Sequence, residues 1–205
     1  MPLPITFSGR IFKRILDLVG SVLLLILLLP LLAALALLIK CHDGGPVFFR
    51  RRVVGPKGPF DAFKLRSMRV DADQILHRDS ALRQEFEVNF KLKDDPRVTA
   101  VGAILRKASL DELPQLWNVL KGEMSLVGPR MITSAELEKY GEAEWIFHCM
   151  KPGLTGYWQI QGRQQVSYAR RVEMDLFYVQ HWSLLLDLKI LMKTPMRVFR
   201  GEGAY

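Results

Sequence analysis

Cysteine and histidine are scarce in this chain. Its 205 residues hold two cysteines, Cys41 and Cys149, and four histidines standing singly. No thiolate or imidazole cluster has the spacing of a metal site, and no disulfide framework is implied; a reducing compartment fits. Internal repeats and low-complexity tracts are also missing, so the length reads as one domain with an appendage. Acids are scarce in the first third alone. Residues 1–70 carry eleven Lys and Arg against Asp17, Asp43 and Asp61, whereas residues 71–205 carry eighteen of each sign, so the net charge of +8 resides around the N-terminus. A basic flank beside an apolar run points to an anionic membrane surface before nucleic acid.

That apolar run is Leu18 to Ile39, free of any charge and long enough to span a bilayer. No small-residue cleavage site follows it, which argues against a signal peptide. Arg10, Lys13 and Arg14 precede it; Lys40, Arg50, Arg51, Arg52 and Lys57 follow. Both ends therefore prefer the cytoplasm, which a straight span cannot satisfy. Pro30 divides the run and removes a backbone donor. A re-entrant helix–break–helix, bent near Pro30, satisfies both flanks; a proline-kinked span is the other reading.

The remainder mixes helices with one hairpin. Val47–Val54 and Phe60–Arg66 are β-prone and flank the turn Gly55-Pro-Lys-Gly-Pro59. Lys64 and Arg66, two apart, share a strand face, either as solvated charges or as a phosphate-binding pair. Asp71 and Asp73 read as the start of a helix reaching about Phe90, with a metal-binding pair as the alternative. A short helix over Val98–Lys107 delivers Arg106. The next helix is expected from Ser109 as N-cap, with Glu112 at the capping-box position and Gly122 past the end. Asp111 then lies in a first turn, where free N–H groups favour a carboxylate, and an ionised aspartate can be a nucleophile. The plain alternative is an ordinary acidic helix start. Ser125–Arg130 reads as a tight turn presenting Arg130, with a helix over Thr133–Tyr140 after it. Pro152–Arg163 reads as a glycine-rich loop, with Tyr157 and Trp158 at headgroup level or a ligand loop closed by Arg163. Two helices from Ser167 onward break near His181, the second amphipathic with Asp187 among its polar residues.

Taken in order, Phe63-Lys-Leu-Arg-Ser-Met68, Asp95-Pro-Arg-Val-Thr99, Ser109-Leu-Asp-Glu-Leu-Pro-Gln-Leu116, Ser125-Leu-Val-Gly-Pro-Arg130, Pro152-Gly-Leu-Thr-Gly156 and Asp175-Leu-Phe-Tyr178 resemble the bacterial sugar transferase family, the monotopic phosphoglycosyl transferases. The match runs from about Lys13 to Arg197. One departure is Met131, where the family usually has a second proline after the arginine. The resemblance implies an enzyme moving a sugar-1-phosphate from a nucleoside diphosphate sugar, most often of uridine, to polyprenol phosphate. It implies a site on the cytoplasmic face of the bacterial inner membrane, with Asp111 as nucleophile and Glu112 beside it at Mg2+. Lys64, Arg66, Arg106, Arg130, Arg163 and Asp175 become the substrate-binding candidates. The chain would correspond to the catalytic module of larger relatives, in contact with membrane lipids and not with nucleic acid; a homodimer is compatible with it.

The expected fold is α+β: a mostly helical membrane-associated domain with an N-terminal re-entrant helix (residues 1–42), then a catalytic domain (43–205) with a short β-hairpin and surface amphipathic helices. Two other functions fit parts of the sequence. A non-enzymatic membrane-anchored basic module explains the charge asymmetry, and a lipid-dependent glycosyltransferase using Asp71 and Asp73 would release a nucleoside diphosphate.

Overall fold

The structure is a computed structural model describing residues 5–90, 92, 94–162 and 166–200. It is mostly helical. The N-terminal helix α1 covers Phe7–Asp43, and Thr6 caps it by accepting from Gly9 N. The hairpin pairs β1 (Phe48–Val53) with β2 (Phe60–Leu65), Phe48 opposite Leu65 and Val53 opposite Phe60. Helices α2 (Ala72–Arg78), α3 (Ser80–Asn89) and α4 (Ala100–Lys107) follow, then a 3-10 turn over Leu110–Glu112 and helix α5 (Gln115–Lys121). Beyond them come β3 (Ser125–Val127), α6 (Ser134–Leu137), a 3-10 stretch over Glu138–Trp145, α7 (Ile146–Cys149), β4 (Gly153–Thr155), α8 (Tyr157–Gln161), α9 (Tyr168–Gln180) and α10 (Leu184–Arg200).

Helix α1 is continuous through Pro30; the helix–break–helix expected there is a single helical element. It is long and apolar enough to cross a membrane. One narrow stripe faces the rest of the protein: Lys13, Asp17, Ser21 and Ile39 are buried, while Leu25, Leu32 and Leu35 pack part-buried between them. These positions recur three and four apart, one face of a helix. The other faces expose Ile15, Val22, Ile26, Leu27 and Leu37 among others. Polar ties fix the inward stripe. Lys13 Nζ donates to Asp187 (2.7 Å) and to Val127 O (2.8 Å). Asp17 Oδ1 accepts from Ser125 Oγ and from Leu126 N. Arg14 donates to Val119 O (2.6 Å) and Leu120 O (2.8 Å), the open carbonyl end of α5. At the far end Arg66 pairs with Asp43. Both ends of α1 are thus fastened to the same domain.

The main core gathers Leu116, Val119, Met124, Ile146, Phe147, Tyr178 and Ile190, all fully buried. Each full aliphatic burial is worth about 1.5–3 kcal/mol. A smaller cluster of Ile39, Leu65 and Leu105 joins α1, β2 and α4.

Three local expectations are corrected. The single helix from Asp71 divides at Asp79, whose side chain accepts from Leu82 N and caps α3. The segments around Gly128 and Gly153 are not an isolated turn and loop: β3 and β4 pair in parallel, Ser125 opposite Gly153 and Val127 opposite Thr155. Their backbones cross so closely that a Cβ at Gly153 would stand 2.1 Å from Gly128 N, which only glycine permits. Tyr157 and Trp158 then open α8, and Trp158 is 4% exposed, so its ring packs within the protein instead of lying bare on a loop.

Candidate active site

Asp111 and Glu112 lie in the 3-10 turn, not in the first turn of an α-helix. Ser109 adopts a left-handed backbone (φ 55) and makes no capping bond, so the expected capping box does not form. Pro114 gives the reason. Inside a helix started at Leu110 its ring would strike the Leu110 carbonyl, whereas just before α5 its fixed φ suits helix entry. The chain therefore makes one tight turn and starts α5 at Gln115.

The two carboxylates differ sharply. Glu112 is fully engaged: Oε1 accepts from Lys64 Nζ (2.8 Å) and Arg130 Nη2 (2.6 Å), and Oε2 accepts from Arg130 Nη1 (3.0 Å). Burial alone would raise its pKa, but Arg130 first and Lys64 second hold it well below the ordinary carboxylate range. Asp111 is 7% exposed, and its nearest cation is Lys64 Nζ at 3.7 Å. Burial pushes its pKa up; Lys64 is the largest opposing influence, Glu112 adds to the rise, and Arg106 and Arg130 pull it down. The helix-terminus argument for an ionised Asp111 therefore fails, and surrounding cations replace it.

Neighbouring elements aim those cations. Asn118 in α5 donates to Asp61 O (2.8 Å) and accepts from Phe63 N (3.0 Å), locking the turn against β2 so that Lys64 reaches Glu112. Arg130 leaves the β3 segment beside Gly153, and its own N–H donates to Asp175 Oδ2 (3.3 Å). Arg106 Nε donates to Ser67 Oγ (2.9 Å). Burial lowers the Arg106 pKa, against the opposing charges of Asp111 and Asp95.

The other sequence candidates separate. Arg66 lies one residue past β2 and lines the same cavity as Lys64, but its charge is spent on Asp43. Its Nε donates to Pro46 O (2.6 Å) and its two terminal nitrogens bind Asp43, so it fastens the end of α1. Asp175 is fully buried and touches Tyr140 OH (2.9 Å) and the Arg130 backbone, a support behind the site and not a phosphate ligand. Burial pushes it up to about 7. Asp71 is ion-paired with Arg69. Asp187, expected on a polar helix face, is fully buried under Lys13, Tyr178 and Trp182. Arg163 lies outside the described residues. Among the described residues no group of three or more acidic, histidine or cysteine side chains forms a metal cage.

Asn118 and Ser67 escaped the sequence reading, and so did the pairing of Glu112 with Arg130. All are contacts between residues 18 to 57 positions apart, for which the local sequence carries no signal.

Asp111, Glu112, Lys64, Arg106 and Arg130 line one cavity of about 1160 Å³. The same cavity reaches Leu24 and Leu28 of α1, and Leu126, Leu154 and Leu191 of the domain. At another end it meets Arg69, Phe86, Phe90 and Arg97.

A buried carboxylate among cations, at the wall of a cavity shared with an apolar surface helix, makes a site suited to anionic ligands. The chain belongs to the bacterial sugar transferase family, whose model matches residues 8–201. It is 47% identical over 202 residues to the exopolysaccharide production protein ExoY of Sinorhizobium fredii, covering 96% of this chain and 89% of that one. It is 47% identical to the UDP-galactose-lipid carrier transferase of Erwinia amylovora, over 97% of this chain and 42% of the relative. It is 39% identical to the UDP-glucose:undecaprenyl-phosphate glucose-1-phosphate transferase of Escherichia coli, over 98% of this chain and 43% of the relative. The chain thus spans less than half the length of the latter two.

Proposed function

We propose that this chain transfers a sugar-1-phosphate from a nucleoside diphosphate sugar, a UDP-sugar in the first instance, to undecaprenyl phosphate, releasing UMP and starting polysaccharide or glycoconjugate assembly. One observation carries the reading: a single cavity joins Asp111 and its cations to the leucines of α1. A soluble anionic donor and an isoprenoid phosphate held at a membrane need such a shared space. The names of the relatives, a lipid carrier transferase and an undecaprenyl-phosphate transferase, agree with it.

The reaction proceeds in two displacements. An Asp111 carboxylate oxygen attacks the sugar-bearing phosphorus, and the bond to the bridging oxygen breaks, so UMP departs with both electrons. The polyprenol phosphate oxygen then attacks the same phosphorus. The bond to Asp111 breaks, freeing the carboxylate and leaving sugar diphosphate on the lipid. Each nucleophile attacks as an anion, so once Asp111 is ionised neither step requires a base. Lys64, Arg106 and Arg130 face the phosphates; guanidinium groups pair with phosphate oxygens in bidentate fashion. Glu112 holds Lys64 and Arg130 in place beside the nucleophile.

Magnesium fits this set as an ion shared with substrate. Mg2+ commonly takes one or two carboxylates plus phosphate oxygens, and Asp111, whose side chain accepts no hydrogen bond among the described residues, stands beside Glu112. Asp111 would hold it directly, and Glu112 would join by giving up one of its bonds to Lys64 or Arg130; the bound ion would screen the repulsion between carboxylate and diphosphate. Chelation should abolish turnover and Mg2+ should restore it; full activity in excess chelator would rule the ion out.

The same-leaflet insertion of α1, at the cytoplasmic face, belongs to this proposal. Its support is the basic residues at both ends and the fastening of both ends to one domain. The deciding experiment supplies labelled UDP-sugars with and without undecaprenyl phosphate. The full reaction should release UMP. Without lipid, label should stay on denatured protein at about one per active site, and Asp111→Asn should remove it. Release of UDP, or of nothing, would defeat the assignment.

A further inference from the structure

A second cationic site lies away from the cavity, on the side of α1 that holds its N-terminal half. Arg14 Nη2 and Lys151 Nζ converge on Gly122: a Cβ built there would stand 3.4 Å from one and 3.6 Å from the other. Gly122 caps α5 in a left-handed conformation (φ +81) that itself calls for glycine, and the two cations flank that cap. Arg14 spends two donors on the end of α5. Lys151 is half-buried, and its ammonium makes no hydrogen bond or ion pair among the described residues. Burial first, then the charge of Arg14, lower its pKa; Lys57 and Lys13 add to the positive field, and Asp17 opposes it.

Acids on the adjoining elements are committed elsewhere. Asp17 serves Ser125 and Leu126, and Glu123 serves Asn118 and Lys121. Two cations held side by side without a carboxylate of their own call for an external anion. The neighbouring surface says which kind. Ile11, Ile15 and Leu18, spaced four and three apart, form one helix face beside Arg14, and all three are exposed. A free phosphate has no use for that stripe; a lipid with a charged head and an acyl chain fits both parts.

We propose that Arg14 and Lys151, with the charge of Lys57 adding to their field, form a headgroup site for an anionic phospholipid whose acyl chain lies along Ile11, Ile15 and Leu18. The site is separate from the substrate cavity. It rests on the membrane placement of α1 and not on the transfer chemistry.

The test uses the full chain purified in neutral detergent and titrated with dioleoyl phosphatidylglycerol, retained lipid being read by native mass spectrometry. Dioleoyl phosphatidylcholine, inorganic phosphate and undecaprenyl phosphate serve as comparison arms. The wild type should retain phosphatidylglycerol in preference to phosphatidylcholine. Lys151→Gln and Lys57→Gln should each weaken retention by about fivefold, the worth of one basic side chain at an anionic membrane surface. Lys151→Arg should restore it, which separates a lost charge from a damaged fold. Sugar-phosphate transfer in neutral detergent should survive in both glutamine variants, so loss of lipid retention is read independently of the transferase assignment. Equal retention of the two phospholipids, or retention unchanged in Lys151→Gln/Lys57→Gln, overturns the site. Displacement by millimolar inorganic phosphate, or retention of undecaprenyl phosphate that falls in Lys151→Gln as phosphatidylglycerol retention does, overturns the choice of occupant.

Discussion

Glu112 and Asp111 are adjacent, yet their surroundings assign them opposite work. Glu112 is held ionised by Arg130 and Lys64, while Asp111 is pushed up by burial and kept in reach of ionisation chiefly by Lys64. A nucleophilic carboxylate must be ionised, so turnover should fall on acidification, with its acid limb above the ordinary aspartate range. Removing Lys64 deletes the strongest influence favouring the charged form. Lys64→Gln should therefore move that limb to higher pH as well as slow the reaction, as read from UMP release across a pH series. An unshifted limb would mean that Asp111 is not the titrating group. Asp175 offers a stability test. Its folded pKa of about 7 lies above the unfolded value near 4, so the folded state binds the proton more tightly. Its favourable contribution is complete below the unfolded pKa and is lost as pH rises toward 7, by up to about 1.4 kcal/mol per pH unit. Asp175→Asn cannot lose a proton. Urea unfolding should show the variant gaining on the wild type between about pH 5 and pH 7; parallel curves would refute the buried charge. The carboxylate pair and its candidate cations were legible because residue type and motif order expose them. The division of labour was not, because it depends on Arg130 reaching Glu112 and on Arg66 turning away to Asp43, both set by where strands end.

At the scale of elements, α1 does more than present an apolar surface. Lys13 reaches Asp187 in α10, Asp17 the β3 backbone and Arg14 the end of α5, so one helix aligns three elements around the site. The Lys13–Asp187 pair is nearly dry, with side chains 10% and 0% exposed. Breaking one member of such a pair strands a buried charge and costs about 3–5 kcal/mol. Lys13→Met should lower the unfolding midpoint strongly, and Lys13→Met/Asp187→Leu should recover much of the loss. A double variant as weak as the single one would show that Tyr178 and Trp182, which also donate to Asp187, need the carboxylate more than Lys13 does. The hairpin, α4 and the division between α9 and α10 were legible from turn chemistry and periodicity, since each is a local property. The β3–β4 pairing was not: three-residue strands carry no period of two to read, and their partners lie 28 residues apart in register. Nor was the burial of Asp187 legible, because its partner Lys13 lies 174 residues away in sequence and helical spacing alone placed it among polar neighbours.

For the whole molecule the open quantity is where the domain sits relative to the bilayer. At about 1.5 Å per residue, α1 is about 55 Å long, well beyond a hydrocarbon core of about 30 Å. A straight crossing would carry one end away from the domain, yet Lys13 and Asp43 are both tied to it. Crossing thus requires breaking the Lys13–Asp187 pair or the Arg66–Asp43 pair, whereas insertion from one leaflet keeps both. Single cysteines placed at Arg10 and Arg50, in a chain with Cys41 and Cys149 replaced, should both be shielded from an impermeant thiol reagent in sealed cells and both react after lysis. Labelling of the Arg10 position in sealed cells would overturn the one-leaflet topology. Pro30→Ala restores a backbone donor and a good helix former at the middle of the run, which favours a straight span, but the two end ties still oppose it. The single variant should therefore remain mostly cytoplasmic at both ends. Pro30→Ala/Lys13→Met, with one tie removed, should expose a measurable fraction of the Arg10 position to the outside reagent. If Pro30→Ala alone inverts the N-terminus completely, proline geometry dictates topology and the polar ties do not.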